Sequence, residues 1–143
     1  MQSYSFLEDM VIADMAFEAS GDTPAELFQA AAQALFESMT DLSRLRPNIQ
    51  KQIRLRHSQL DQLLFDWLAE LIYIKDAEGI LLSEFSVQLT QDNGWQLSAL
   101  AQGERIDSAR HDLRADVKAV TYHRFEVGQT EDGRWRARVV LDI

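Results

Sequence analysis

The sequence predicts an α+β fold in which two helices pack on one side of a largely antiparallel sheet. Two observations point there. Two segments repeat their apolar residues at helical spacing, and the segments around them alternate apolar and polar residues with a period of two. The last third of the chain alternates almost throughout and carries turn signals, which favours hairpins over helix-linked parallel strands. The 143 residues suit one domain spanning 1–143, and 6 Gly and 2 Pro leave little room for a linker.

Residues 13–20 alternate, with Met15, Phe17 and Ala19 on one face and Asp14, Ala16, Glu18 and Ser20 on the other; Gly21 and Asp22 end this strand. Thr23-Pro24-Ala25-Glu26 opens a helix. Thr23 can cap it, Pro24 suits its first position, and Glu26 completes a capping box. Leu27, Phe28, Ala31, Leu35 and Met39 form its apolar stripe. Residues 49–57 read as a strand. A second cap signal at residues 58–61 precedes the stripe Leu60, Leu63, Leu64, Trp67, Leu68, Leu71 and Ile72, which Gly79 ends. Phe85, Val87 and Leu89 alternate, Asn93-Gly94 marks a tight hairpin, and Trp95, Leu97 and Ala99 alternate again. The polar stretch 103–113 reads as a loop. Strands follow at 117–127 and 134–143, joined by a turn through residues 128–133. Trp135, Ala137, Val139 and Leu141 form the apolar face of the last strand. Arg134, Arg136 and Arg138 lie on the opposite face, which reads as solvated or paired with carboxylates.

Composition excludes several function classes. With 23 acidic against 14 basic residues the chain carries a charge of −9, the wrong sign for stable binding to nucleic acid. The absence of cysteine excludes disulfides, thiolate metal sites and a Cys nucleophile. A bound metal therefore needs oxygen or imidazole ligands. No apolar run is long enough for a membrane span and the N-terminus lacks signal-peptide character, so the cytoplasm is the expected compartment and no membrane partner is expected. No phosphate-binding glycine loop and no nucleophile elbow is present.

The remaining chemistry rests on a few residues. His57, His111 and His123 form no metal-ligand motif; His123 shares a strand face with Val117, Ala119, Thr121 and Phe125 and reads as a core histidine. Asp14 and Asp142, the latter beside the terminal carboxylate of Ile143, are either solvated or oxygen ligands drawn together for a hard cation. Lys118 sits in an otherwise apolar segment, either as an edge-strand charge that deters aggregation or as a residue with a partner or a task.

The run Asp116-Val117-Lys118-Ala119-Val120-Thr121-Tyr122-His123 and the ending from Arg134 to Asp142-Ile143 carry a resemblance. So do residues 4–8, 35–41 and 66–73, in the same order. The chain resembles the archease family over essentially its whole length. Archeases are accessory proteins of RtcB-type RNA ligases, so the resemblance implies a non-catalytic activator that promotes guanylylation and repeated turnover of such a ligase in tRNA splicing and RNA repair. It also implies a divalent cation, calcium foremost, held by Asp14, Asp142 and Ile143, and a functional role for Lys118. Near the N-terminus the family's Glu-His-Thr-Ala-Asp-Ile-Gly becomes Glu8-Asp9-Met10-Val11-Ile12-Ala13-Asp14-Met15-Ala16, two residues longer and without the histidine. Asp9 is thereby a candidate extra or substitute ligand. The alternative from a different class is a stand-alone metal-dependent hydrolase or nuclease.

Overall fold

The computed structural model describes residues 1–7 and 14–143. Its elements are β1 (Ser3–Leu7), β2 (Asp14–Gly21), α1 (Pro24–Glu37), a 3-10 turn (Leu42–Arg44), β3 (Ile49–His57), α2 (Leu60–Glu78), β4 (Ile80–Gln91), β5 (Trp95–Arg105), β6 (Ala119–Gln129) and β7 (Trp135–Asp142). Two helices pack on antiparallel sheets, as expected. The strands divide into a four-stranded sheet, ordered β1-β2-β7-β6, and a three-stranded one, ordered β3-β5-β4. α1 packs on both sheets through β2 and β4, and α2 does so through β6 and β3.

The helix ends follow local chemistry. Thr23 accepts a hydrogen bond from the Glu26 amide at 3.2 Å, and Glu26 Oε1 reaches back to the Asp22 amide at 3.3 Å, one residue before the partner a standard capping box uses. Gly79 ends α2 in the left-handed region at φ 65°. The N-cap of α2 is Gln59, without a side-chain cap bond; His57 Nδ1 accepts from its amide at 3.1 Å. Asn93 and Gly94 both take positive φ in the β4–β5 turn.

The two helical stripes meet in the core. Trp67 is fully buried and donates from Nε1 to the Phe28 carbonyl at 3.0 Å, which ties α2 to α1. Phe85 of β4 lies edge-on to Trp67 and stacks on Phe36. In the β2–β7 ladder the row Met15–Leu141, Phe17–Val139, Ala19–Ala137 faces the helices. The other row carries Asp14–Asp142, Ala16–Val140, Glu18–Arg138 and Ser20–Arg136. The arginine face is carboxylate-paired: Arg136 and Arg138 flank Glu18 at 4.0 and 3.9 Å, and Arg134 meets Asp22 at 3.6 Å.

Four sequence expectations need correction. β1 lies outside the sequence expectation, although Ser3-Tyr4-Ser5-Phe6 alternates polar and aromatic residues; antiparallel pairing with β2 holds it as a strand. β5 runs on to Arg105, into the stretch read as loop, because Gly103 lets the Leu81 backbone approach where a side chain could not fit. β6 starts at Ala119 rather than 117, because the Val117 carbonyl is taken by a lysine ammonium. His123 is exposed, not a core residue: a register shift between Thr121 and Glu126 breaks the alternation that placed it inside.

Candidate functional site

Asp14 opens β2 and Asp142 ends β7, and the two are direct partners across the ladder. Directly opposed residues of an antiparallel pair project to the same face, so two residues 128 positions apart share one spot at the end of the four-stranded sheet. On its other side Asp142 pairs with Ala119, and the Lys118 amide donates to the Asp142 carbonyl at 2.8 Å. Ile143 follows at once and packs against the core. Asp14 is half-buried; Asp142 and Lys118 are exposed. The structure therefore gathers all four residues singled out from the sequence. Asp9 lies outside the described residues.

Like charges directly opposite one another destabilise a sheet. Among the described residues no ion pair relieves Asp14 or Asp142. Two facing carboxylates make an oxygen donor set suited to a hard cation. Among the described residues no cluster of three or more His, Asp or Glu side chains is poised for a metal. A third protein oxygen donor here would be the carboxyl group of Ile143, with water completing the shell. The donor set fits a calcium-like ion in chemistry while supplying few of its ligands.

A residue that the sequence reading passed over fixes this corner. Lys75, in the last turn of α2, is buried, and its ammonium donates to the Val117 carbonyl and to Asp116 Oδ1, each at 3.0 Å, and meets Asp76 at 2.6 Å. Burial pulls the ammonium down, but hydrogen bonds and charge from Asp76 and Asp116 outweigh it and hold Lys75 above the usual lysine value. The segment 116–118 is thus pinned between α2 and the last residue of β7. The signal was present: Lys75 continues the stripe Leu68, Leu71, Ile72 at helical spacing.

The histidines stand apart from the carboxylate pair. His111 is buried in the 106–118 connection. Its Nδ1 accepts from the Asp107 amide at 2.9 Å and its Nε2 lies 3.0 Å from Glu104, which also pairs with Arg110. This geometry fixes a neutral ring that donates from Nε2. Burial and the Arg110 charge, against a smaller opposing effect of Asp107, hold His111 below its usual 6.5. The unfolded chain then takes up a proton before the folded one, so stability falls as pH drops below about 6.5. Thermal unfolding of wild type and His111→Gln between about pH 5 and 8 should show a steeper acid loss in wild type. Parallel curves would refute this role.

The sequence profile of the archease protein family matches residues 4–143. The chain is 42% identical to an archease of Methanopyrus kandleri, covering 92% of this chain and 94% of that one. It is 40% identical to an archease of Methanothermobacter thermautotrophicus, with both chains fully covered. The fold matches the solution structure of Methanobacterium thermoautotrophicum protein 1598 with TM-score 0.86 and 40% identity, covering 98% of each chain. A crystal structure of a Thermotoga maritima archease, described as a possible chaperone, matches with TM-score 0.63 and 18% identity, covering 96% of this chain and 98% of that one, and supports the fold alone. The chain belongs to the archease family.

Proposed function

We propose that this protein is a metal-binding accessory factor that promotes guanylylation and repeated turnover of an RtcB-type RNA ligase in tRNA splicing and RNA repair. Family membership motivates the ligase, and one observation supports the site: Asp14 faces Asp142 while Lys118 is held against the same residue. Asp14, Asp142 and the carboxyl group of Ile143 would hold a divalent cation, calcium foremost, which when bound supplies positive charge to phosphate or carboxylate oxygens. Lys118 would present its ammonium to nucleotide phosphates or to ligase carboxylates at the same corner. The Lys75 anchor limits how far Lys118 can stray, so less ordering is left for docking. The protein itself would join no RNA. The compartment proposed is the cytoplasm; among the described residues no helix is long and apolar enough to cross a membrane.

Guanylate transfer to a purified RtcB-type ligase from the same source tests this reading. Substoichiometric wild type should accelerate transfer, while Lys118→Ala, Asp14→Ala and Asp142→Ala should lose most of the acceleration and remain folded. Full acceleration by Lys118→Ala would remove that residue's role. No acceleration by wild type, with a competent ligase, would reject the accessory reading. Metal-dependent turnover of RNA or nucleotide by the protein alone, lost in Asp14→Ala, would establish the hydrolase instead.

A further inference from the structure

β6 is an edge strand of the four-stranded sheet, and its middle leaves the ladder. Thr121 pairs with Val140 and Glu126 with Arg138, so residues 122–125 stand opposite Val139 alone. Within this bulge Arg124 is held at φ 51°, a left-handed conformation that costs a branched or long side chain and that glycine would adopt freely. Strain of this kind persists where the surroundings impose it, and it concentrates at functional sites.

The bulge displays a prepared surface. Tyr122 is 61% exposed, yet its ring is fixed: it stacks on Phe65 at 3.9 Å with 1° between the planes, meets Phe125 edge-on at 6.3 Å, and donates from its hydroxyl to Gln62 Oε1 at 3.1 Å. His123 and Arg124 are exposed beside it, and Lys118 is exposed just before the strand begins. In a chain with 23 acidic and 14 basic residues, carboxylates are plentiful, but among the described residues neither Lys118 nor Arg124 is in an ion pair. Glu126, the next acid along the strand, stands opposite Arg138 in register, and the Arg138 guanidinium pairs with Glu18. A rigid tyrosine with the unpaired Arg124 in the same bulge has the make-up of an interface anchor, since ordering it costs little entropy on binding.

We propose that residues 122–125, with Lys118, form the docking surface for a protein partner whose facing surface is acidic. Carboxylates of the partner would pair with Arg124 and Lys118, and an apolar side chain would cover the Tyr122 ring. The net charge of −9 opposes any anionic partner at long range, so the local cations Arg124 and Lys118 are what would draw carboxylates to this surface. The inference deepens the accessory-factor reading, on which the identity of the partner as the ligase rests.

Two measurements test it. In the first, the affinity of the full chain for the RtcB-type ligase is measured at low and high salt. Tyr122→Ala and Arg124→Gly should each weaken binding about tenfold or more, whereas Tyr73→Ala, equally exposed at 63% on α2, should not. Arg124→Gly is informative because it relieves the backbone and should melt no earlier than wild type, so lost affinity cannot be lost fold. Wild-type affinity for both variants would overturn the surface and leave the ligase reading intact. In the second, an Asp/Glu-rich decapeptide and a single-stranded RNA of equal charge are titrated into the isotope-labelled chain at low salt. The peptide should shift the amides of Lys118 and residues 122–125, and Arg124→Gly should suppress the shifts. Shifts elsewhere only, or a stronger response to the RNA, would overturn the proposal. The expected peptide response without any ligase binding would sustain the acidic-partner surface and reject the ligase as its occupant.

Discussion

Trp67→Ala should remove about 3–5 kcal/mol of stability, the range for deleting a large aromatic from a close-packed core. Trp67 has no solvent exposure and lies at the meeting of α1, α2 and β4, with the Phe28 carbonyl on its Nε1 and the Phe85 ring against its edge. The substitution loses contact on three sides and an interhelical hydrogen bond. A domain has only about 5–15 kcal/mol in total, so the variant should approach the unfolding threshold at physiological temperature. Urea unfolding followed by far-ultraviolet circular dichroism measures the loss directly. Trp67→Phe, which keeps most of the volume but not the Nε1 donor, should lose much less. A loss below about 1 kcal/mol for Trp67→Ala would mean that the two helices are held together elsewhere.

The second large effect concerns the facing carboxylates and has an unusual sign. If Asp14 and Asp142 hold a cation, calcium at about 100 times its dissociation constant should stabilise the fold by about 2.7 kcal/mol. Asp14→Asn and Asp142→Asn should abolish most of this gain. In chelator, however, each variant should be more stable than wild type, by about 0.2–1 kcal/mol, because a like-charge pair across the β2–β7 ladder is removed. A chain extended beyond Ile143 should lose cation affinity, whereas one extended at Met1 should keep it. Urea midpoints with calcium and with chelator read all of these outcomes. An undiminished calcium response in both asparagine variants would reject the cation site.

The fold was largely legible in the sequence because its signals are local. Thr23, Pro24 and Glu26 mark the start of α1 by satisfying end groups within one turn, and Gly79 ends α2 by the backbone freedom it alone has. Alternation in β2 and β7 placed Phe17, Ala19, Ala137, Val139 and Leu141 in the core, since side chains of a strand alternate across its faces, whereas Ala16, read on the polar face, is buried as well. What failed was what depends on a partner. The bulge in β6 is invisible in its own residues, so His123 was counted inward when the broken register turns it outward.

The candidate site divides the same way. Asp14, Asp142, Ile143 and Lys118 were named from the sequence through resemblance, but composition and spacing left each with a bland reading. Only the antiparallel register brings Asp14 against Asp142, and only the hydrogen bond from the Lys118 amide to the Asp142 carbonyl, with the buried Lys75 ammonium on the Val117 carbonyl, sets Lys118 beside them. The sequence by itself determined two helices, most of the strands, which faces are apolar, and which chemistries the absence of cysteine and the acidic balance exclude. The tertiary structure decided which distant charges meet. Local propensities act over one turn or one hairpin, whereas register and helix docking are settled by burying surfaces that lie far apart along the chain.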